Sequence, residues 1–365
     1  MSDAQRELAL AVCGVGKMGV MHAAMISALP AARVAAIVDP DSRAARQLTG
    51  MGAAAPVFAS IEDAARGVAL DAATIAAPSF AHRPIAEAAL ELGLHVFCEK
   101  PLAHTLADAR ALADAARARP DRRCAIGFMK GHQGLFLESA RMLREGVLGE
   151  PRRFRASVYL SQVFGPMKGW TFTKERAGGG VLINTGIHLI HLCSMLFGRA
   201  VSAVCRARPM HSGVEDTLAA IVEYEGGVFG SIDMSWSVPG YDVEYSQILV
   251  EGSNGVLDLD DFRARLHLLE ARGGAPKGWS ETHQSQTDRA AFSLTPEYCG
   301  EGYCQEIADF CAAIREGRRP RYDFADGLEM QRVVDALYRS AESGERIALS
   351  PPAGLAGFRP GGVAE

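Results

Sequence analysis

The stretch that decides the fold is Leu8-Ala9-Leu10-Ala11-Val12-Cys13-Gly14-Val15-Gly16-Lys17-Met18-Gly19. Its first six residues are apolar and predict a buried strand, and the residues after Gly16 predict a helix. Between them the glycines have the G-x-G-x-x-G spacing. Gly14 permits a tight turn, Gly16 lets the backbone approach a pyrophosphate, and Gly19 lets helix and strand pack closely. The free amides of this loop, which also contains Val15, Lys17 and Met18, are expected to face phosphates.

A carboxylate follows this loop at the distance expected for a dinucleotide-binding domain. Asp39 ends the second predicted strand, twenty residues after Gly19. There it can accept hydrogen bonds from both ribose hydroxyls of an adenosine, and it would repel a 2'-phosphate. The sequence therefore predicts NAD as the cofactor. NADP is less favoured, although Ser42 and Arg43 are near enough in the sequence to bind a phosphate.

Short apolar runs alternate with amphipathic stretches from residue 8 to about residue 128. This alternation is expected when helices cover both faces of a parallel sheet. Residues 1–128 are therefore predicted to form a doubly wound, Rossmann-type NAD-binding domain of α/β class. Its predicted strands are Leu8–Cys13, Arg33–Val38, a short one near Val57, Ala72–Ala77, His95–Cys98 and Arg123–Phe128.

Bulk properties favour a cytoplasmic protein that binds small molecules. The 365 residues have a formal net charge of -5, so no basic field is available for a phosphate-rich polymer, and nucleic acid is not an expected partner. Eight cysteines without a C-x-x-C pair predict buried thiols in a reducing compartment. We recognise no leader and no apolar stretch near the roughly 20 residues that a membrane span needs, so no membrane partner is expected.

The fifth predicted strand leads directly into Glu99-Lys100-Pro101. Because ligands of open α/β sheets bind at the carboxyl ends of the strands, Lys100 is expected to point into the site. It can stabilise a developing alkoxide, while Glu99 binds a ribose or orients the lysine and Pro101 fixes the backbone, by a cis bond if needed. The alternative is a solvated Glu and Lys at an ordinary turn. Pro78 and His82 face the same edge, and His82 is interpreted as a helix-start residue rather than a catalyst.

After residue 128 the pattern changes to closely spaced strands. A tight turn at residues 225–227 joins two of them, so the second domain, residues 129–350, is predicted to contain an antiparallel or mixed sheet. The predicted elements are helix Leu135–Arg144, strands Arg152–Leu160, Leu218–Tyr224, Val228–Trp236 and Glu244–Glu251, helices Glu301–Arg315 and Asp326–Ala341, and strand Arg346–Leu349. Residues 351–365, rich in Pro, Gly and Ala, are expected to form a disordered tail.

The most informative later stretch runs from residue 177 to residue 191. Three consecutive glycines permit close approach of the backbone to a ligand, and an apolar helix is predicted after them. Asn184 and His188 are four residues apart and would share a helix face. In the functional interpretation His188 is the general base and Asn184 holds a substrate hydroxyl. In the alternative these are core residues with backbone partners, which is favoured for His191. No metal site is predicted, since no third ligand accompanies the two histidines.

Taken together, the glycine loop, Glu99-Lys100-Pro101 and residues 178–188 resemble the glucose-fructose oxidoreductase, inositol dehydrogenase and MocA (Gfo/Idh/MocA) family. Gly302-Tyr303-Cys304-Gln305-Glu306 and the closing helix agree, so the resemblance spans roughly residues 8–350. It implies a Rossmann domain, then an α/β domain with a large open sheet, in a homodimer or homotetramer. It also implies that Lys100 and His188 occupy catalytic positions and that residues near Trp170 line the substrate pocket.

Two positions depart from the family pattern. Many of its polyol dehydrogenases have Asp where this chain has Asn184, and a carboxylate is frequent at the position of His191. An amide cannot accept a proton, so a Lys-Asp-His arrangement is reduced to Lys100 and His188. The resemblance thus implies an NAD-dependent dehydrogenase or reductase acting on a secondary hydroxyl of a sugar, sugar nucleotide or cyclitol. The alternatives are an NAD-dependent glycosidase that uses transient oxidation and elimination, and a non-catalytic nucleotide-sensing protein.

Overall fold

A six-stranded parallel sheet comes first in the chain, and a nine-stranded mixed sheet follows it. The computed structural model describes residues 6–41, 55–165, 167–287 and 300–350. The interpretation of Ser42 and Arg43 and the expected tail at residues 351–365 lie outside these ranges. The two sheets and the helices around them confirm the predicted α/β fold class.

The first sheet has the order β3-β2-β1-β4-β5-β6, and all its neighbouring strands are parallel. All six residues of its second-longest strand, Leu8–Cys13, are buried, as expected for a strand with helices on both faces. In this order the chain leaves β1 towards one side and β4 towards the other, which places a ligand crevice at their carboxyl ends. The elements are β1 (Leu8–Cys13), α1 (Lys17–Ala28), β2 (Ala32–Val38), β3 (Val57–Phe58), α2 (Ile61–Gly67), β4 (Ala72–Ile75), α3 (Ser79–Glu91), β5 (His95–Glu99), α4 (Leu106–Arg117) and β6 (Cys124–Gly127).

The helices of this domain differ in how their first amides are satisfied. Helix α2 has Ser60 as N-cap, whose hydroxyl accepts a hydrogen bond from Asp63 N, and α4 has Thr105 in the same role. Helix α1 begins after Gly16, which has no side chain to cap it. The start of α1 therefore leaves backbone amides available to a ligand at the carboxyl end of β1.

The second sheet has the order β14-β13-β12-β11-β7-β10-β9-β8-β15. Strands β7 and β10 are parallel and the other neighbours are antiparallel, so the sheet is mixed. The strands are β7 (Pro151–Tyr159), β8 (Ala200–Arg208), β9 (Thr217–Tyr224), β10 (Phe229–Ser235), β11 (Tyr245–Gly252), β12 (Gly255–Asp260), β13 (Arg263–Leu268), β14 (Gly278–His283) and β15 (Ile347–Ala348).

Strands β8, β12, β13 and β14 were not predicted. Exposed or half-buried positions alternate with buried ones along β13, so its sequence, RARLHL, contains no continuous apolar run. Trp279 to His283 belong to β14, in which exposed and half-buried positions alternate. Residues 288–299 lie outside the described part of the chain.

Helix α9 belongs to the second half of the chain in sequence but packs on the first sheet. Its Ile307 and Phe310 are buried in one apolar cluster with Leu10 of β1 and Phe97 of β5. The helical elements of this half are a 3-10 turn (Met129–His132), α5 (Gly134–Arg144), 3-10 turns (Gln162–Phe164 and Trp170–Phe172), α6 (Lys174–Ala177), a π turn (Leu182–Gly186), α7 (Ile187–Phe197), a 3-10 turn (Glu225–Gly227), α8 (Gln284–Thr287), α9 (Gly300–Glu316) and α10 (Phe324–Ser343).

One helical stretch, Lys174–Phe197, is long and apolar enough to span a membrane by length and composition, contrary to expectation. Its most apolar window has a mean hydropathy of 1.5, and 94% of that window is buried inside the protein. A core helix has the same composition, so this burial accounts for the apolar residues. The cysteines among the described residues are buried, as the sequence predicts.

Candidate active site

The carboxyl edge of the first sheet opens into a cleft of about 460 Å³. Loops after β1, β4 and β5 line it from one side, and two residues of the second half line it from the other. The lining residues are Gly14, Val15, Gly16, Lys17, Met18, Asp39, Ala76, Ala77, Pro78, Ser79, His82, Glu99, Lys100, Pro101, Trp170 and Asn184. The structure thus brings together the predicted site residues, except Gly19 and His188, which do not line the cleft.

The glycine loop is built as its spacing predicts. Gly14 has φ of 96°, and a Cβ there would lie 2.7 Å from the carbonyl oxygen of Ala76. A Cβ on Gly19 would overlap the carbonyl oxygen of Gly14, so α1 and the loop touch closely. A Cβ on Gly16 would meet no atom of the described residues within 4 Å. The space in front of Gly16 is therefore open towards the cleft.

Asp39 is held at the mouth of this loop. Its Oδ2 accepts a hydrogen bond from Val15 N at 3.0 Å, and its Oδ1 accepts one from Asp41 N at 2.8 Å. A carboxylate has about four acceptor positions, so capacity remains for ligand hydroxyls. The uncapped helix start, the open space at Gly16 and this carboxylate together fit the pyrophosphate and ribose of a dinucleotide.

Lys100 connects the two halves of the chain. Its Nζ donates a hydrogen bond to the backbone carbonyl of Asn184 at 2.9 Å, and its backbone N donates one to Glu99 Oε2 at 3.2 Å. The Lys100–Pro101 peptide bond is cis. The amine is therefore fixed at the cleft from both ends of its side chain.

His82 lies in the first turn of α3 and links two of the loops. Its Nδ1 is 2.9 Å from the carbonyl oxygen of Pro101, and its Nε2 is 2.9 Å from that of Ala77. Burial lowers the pKa of the imidazole, which favours the neutral ring. The ring position agrees with the helix-start interpretation, and it joins the loop after β4 to the turn after β5.

A π turn alters the expected relation between Asn184 and His188. The helix begins with this turn at Leu182–Gly186 and only then continues as α7. Asn184 lines the cleft, whereas His188 is buried and does not. Burial lowers the pKa of His188 well below its ordinary value, and the charge of Lys100 acts in the same direction. His188 is therefore a neutral imidazole close to Lys100, with no partner for its Nδ1 among the described residues.

The second glycine-rich stretch contacts protein, which corrects the expectation that it faces a ligand. Gly178 has φ of 82°, and a Cβ there would overlap the carbonyl oxygen of His104. A Cβ on Gly180 would overlap the carbonyl oxygen of Glu215. The Glu215 carboxylate also accepts hydrogen bonds from Gly180 N at 2.8 Å and from the Tyr338 hydroxyl at 2.7 Å. These glycines therefore permit close packing at the start of the helix.

His191 lies in the apolar core, as the favoured interpretation predicts, but neither ring nitrogen has the backbone partner that this interpretation expects among the described residues. Its ring stacks on Phe128 at 4.2 Å and meets the edge of Tyr322 at 4.4 Å between centroids. Burial, followed by the charge of His132, lowers its pKa to about 3. His191 is thus a neutral core residue rather than a ligand-binding one.

Both halves of the chain match domain models of a single protein family. Residues 8–128 match the family model described as the oxidoreductase family, NAD-binding Rossmann fold, and residues 140–349 match its C-terminal alpha/beta domain. The chain belongs to the Gfo/Idh/MocA oxidoreductase family. This member is therefore an oxidoreductase with an NAD-binding Rossmann domain, which argues against the non-catalytic alternative.

Characterised proteins of similar length align along almost the whole chain. D-apiose dehydrogenase of Paraburkholderia graminis is 27% identical, covering 93% of this chain and 89% of the relative. Inositol 2-dehydrogenase of Streptomyces avermitilis is 28% identical, covering 97% and 98%. The structure of GenD2 from gentamicin A biosynthesis in complex with NAD has a TM-score of 0.79 at 27% identity, covering 96% and 98%.

The sequence did not identify two groups of residues that lie at the cleft or beside Glu99. Ala76, Ala77 and Ser79 line the cleft, and their position directly after a parallel strand was a signal that could have found them. His22 and Glu306 lie buried beside Glu99, and their separation in sequence gave no such signal.

Proposed function

We propose that the protein is an NAD-dependent dehydrogenase or reductase acting on a secondary hydroxyl of a sugar, sugar nucleotide or cyclitol, with Lys100 and His188 as catalytic groups. The names of its relatives support this class, since they are dehydrogenases of D-apiose, inositol and levoglucosan. The observation that carries the proposal is the Lys100 amine, which lies at the cleft beside the glycine loop and is bonded to Asn184. When bound, NAD supplies a hydride acceptor at its nicotinamide ring.

Lys100 would stabilise negative charge on the substrate oxygen. An ammonium has three donors, so it can keep its bond to the Asn184 carbonyl while donating to a substrate hydroxyl. The charge matters most as the hydroxyl loses its proton and the oxygen approaches an alkoxide. Lys100 thus acts as both a binding and an electrostatic group.

His188 would accept the hydroxyl proton. A neutral imidazole has one free lone pair, and the pKa of His188 is lowered, so the ring is available as a base at neutral pH. Asn184 would hold a second substrate hydroxyl from its place in the cleft, but its amide cannot take a proton. The substrate carbon then loses a hydride and its oxygen loses a proton, which leaves a ketone.

The remaining site residues are assigned to binding. We assign the dinucleotide to the loop of residues 14–19, to Asp39, and to Pro78, His82, Glu99 and Lys100, and the substrate to the face that includes Trp170. Trp170 stands edge-on to Phe80 at 6.3 Å between centroids, which fixes an aromatic wall beside the cleft. An aromatic face of this kind suits the apolar C–H side of a sugar ring.

The proposal extends to assembly, location and domain division. We propose a cytoplasmic homodimer or homotetramer with a domain boundary after residue 128. Large apolar side chains on the second sheet are exposed, among them Ile221, Phe229 and Trp279, which supports a self-association surface there. Light scattering of the purified protein measures the oligomer directly, and a monomer at micromolar concentration would refute this part.

The decisive experiment is an NAD-linked absorbance screen over cyclitols, free sugars and sugar nucleotides in both directions. On the best substrate, Lys100→Ala should lower turnover by about 10²- to 10⁴-fold, the usual range for a positioned acid–base group. Affinity for NADH, measured by fluorescence titration, should stay within about threefold, because the loop of residues 14–19 and Asp39 would still hold the pyrophosphate and the adenosine ribose.

Lys174→Ala is the matched control, since Lys174 is exposed and its ion pair with Glu342 is long, at 3.9 Å. It should leave turnover unchanged. Unchanged turnover in Lys100→Ala would exclude the catalytic role of Lys100. Sugar hydrolysis without net NADH formation would favour the glycosidase alternative.

A further inference from the structure

Three buried side chains from distant parts of the chain lie close together beside the Glu99–Lys100 turn. They are His22 of α1, Glu99 at the end of β5 and Glu306 of α9, and their exposed fractions are 0%, 6% and 2%. One nitrogen or oxygen atom of each lies within 4.8 Å of the others. Glu306 ends the stretch Gly302-Tyr303-Cys304-Gln305-Glu306, for which the proposed reaction gives no role.

Two members of this cluster contact each other, and one of them also contacts the site, although His22 Nδ1 has no partner among the described residues. His22 Nε2 lies 3.0 Å from Glu99 Oε1, and Glu99 Oε2 accepts a hydrogen bond from Lys100 N at 3.2 Å. With the Nε2-protonated form of His22, both oxygens of Glu99 receive donors, as an ionised carboxylate requires. Through these bonds Glu99 connects α1 to the backbone of the proposed catalytic lysine.

Glu306 is the exception. Neither of its carboxylate oxygens has a hydrogen-bond partner within the ranges that the structure describes. An ionised carboxylate in that situation loses its hydration without compensation, which is among the most costly arrangements in a protein. A second negative charge so close to Glu99 would add repulsion. A neutral carboxylic acid avoids both costs.

No lysine or arginine among the described residues forms a hydrogen bond with Glu306. Helix α9 packs against α1, β5, β6 and the 3-10 turn Met129–His132. The amine of Lys100 is bonded to the Asn184 carbonyl, and that of Lys130 pairs with carboxylates of the second sheet. The buried titratable groups on these elements are His22, Cys98, Glu99, Cys124, Lys130 and His132, and Lys100 directly follows β5.

We propose that Glu306 is a proton-bearing positioning residue, whose neutral acid keeps Glu99 as the single negative charge behind Lys100 and so holds the Lys100 backbone at the cleft. The proposal rests on the proposed function only in taking Lys100 as the catalytic amine. Burial, then the charge of Glu99, raises the pKa of Glu306 well above its ordinary value, which agrees with this geometry. When alkaline pH ionises Glu306, two adjacent carboxylates repel each other, and the Lys100 turn is expected to shift.

The first test compares two variants of the holoenzyme. Glu306→Gln and Glu306→Leu are close to glutamate in size, and both stay neutral at every pH. We expect kcat of the wild type to fall several-fold at alkaline pH as Glu306 ionises beside Glu99, and this fall should be absent in both variants, whatever their kcat near neutral pH. A wild type without an alkaline fall, or a variant that keeps it, would overturn the proposal.

The second test does not depend on activity. The infrared spectrum of the wild type near neutral pH should contain a carbonyl band of a protonated carboxylic acid that is lost in Glu306→Gln. Glu215→Gln is the matched control, since the Glu215 carboxylate accepts hydrogen bonds from Gly180 N, Leu182 N and the Tyr338 hydroxyl, and the band should remain in this variant. Absence of the Glu306 band overturns the proposal even if the enzyme is active.

The same cluster could instead hold a metal ion, and the experiment distinguishes this outcome. We expect elemental analysis and a zinc titration to give the same metal content for the wild type and for Glu306→Gln. Stoichiometric binding that depends on Glu306 would mean that its carboxylate is ionised, and this outcome would overturn the proposal. If instead both Glu306 tests succeed while Lys100→Ala keeps full turnover, the proposed function fails and the protonated Glu306 stands.

Discussion

Two glycine-rich stretches open helices in this protein, and their surroundings are opposite. The loop of residues 14–19 begins α1 at the edge of the parallel sheet, where the position of a Cβ on Gly16 is empty among the described residues. The stretch of residues 178–180 begins the π turn and α7, where added Cβ atoms would overlap neighbouring protein atoms. In the first case the missing side chain leaves room for a ligand. In the second it leaves room for the protein itself.

The largest effect is expected at the closed stretch. Gly178→Ala would force a side chain onto a backbone with φ of 82° and into the carbonyl oxygen of His104. Since strained backbone and overpacking each cost 1–3 kcal/mol, the free energy of unfolding should fall by about 3 kcal/mol or more. Urea unfolding of the apo protein measures it.

Gly226→Ala separates the two causes of that loss. Gly226 has nearly the same φ, 83°, but a Cβ there would meet no described atom within 4 Å. Its loss should be only about 1 kcal/mol, the cost of the left-handed backbone alone. Equal losses in both variants would mean that the Gly178 stretch is not closed, and the contrast with the Gly16 loop would disappear.

An intermediate effect is expected from the helix that follows the closed stretch. The pKa of His191 is about 3 because the ring is buried, whereas an unfolded histidine titrates near 6.5. Between these values the unfolded chain binds the extra proton, so stability is lost as the pH falls from about 6.5 towards 3. From pH 7 to pH 5, one such histidine contributes a loss of about 2 kcal/mol.

His191→Leu keeps an apolar contact to Phe128 and cannot titrate. The change in unfolding free energy between pH 7 and pH 5 should therefore be smaller by about 2 kcal/mol in the variant, whatever its absolute stability. An equal pH dependence in both proteins would show that His191 is hydrated or already charged in the folded state.

The two glycine stretches also differ in how well the sequence predicted their surroundings. The apolar strands, the loop of residues 14–19 and the edge position of Lys100 were predictable, because each follows from neighbouring residues or from the rule that ligands bind at the carboxyl ends of parallel strands. The closure around Gly178 was not, since His104 and Glu215 approach it from distant parts of the chain. The π turn was not predicted either, because apolar periodicity does not distinguish one wider turn within a helix.

The smallest effect on stability, and the sharpest test of the contrast, is expected at the open loop. Gly16 has φ of -66° and ψ of -177°, which alanine adopts easily, and its Cβ would be unobstructed by described residues. The free energy of unfolding of Gly16→Ala should therefore stay within about 0.5 kcal/mol of the wild type, as for most exposed substitutions.

Affinity should behave differently at Gly16. The added methyl group would stand where the backbone approaches the pyrophosphate, so NADH affinity should fall about tenfold or more, a loss of about 1.4 kcal/mol or above. Fluorescence titration with NADH measures this, and urea unfolding without cofactor provides the stability. Loss of stability without loss of affinity would assign the space in front of Gly16 to the protein, as at Gly178, and would remove the structural support for a dinucleotide in this cleft.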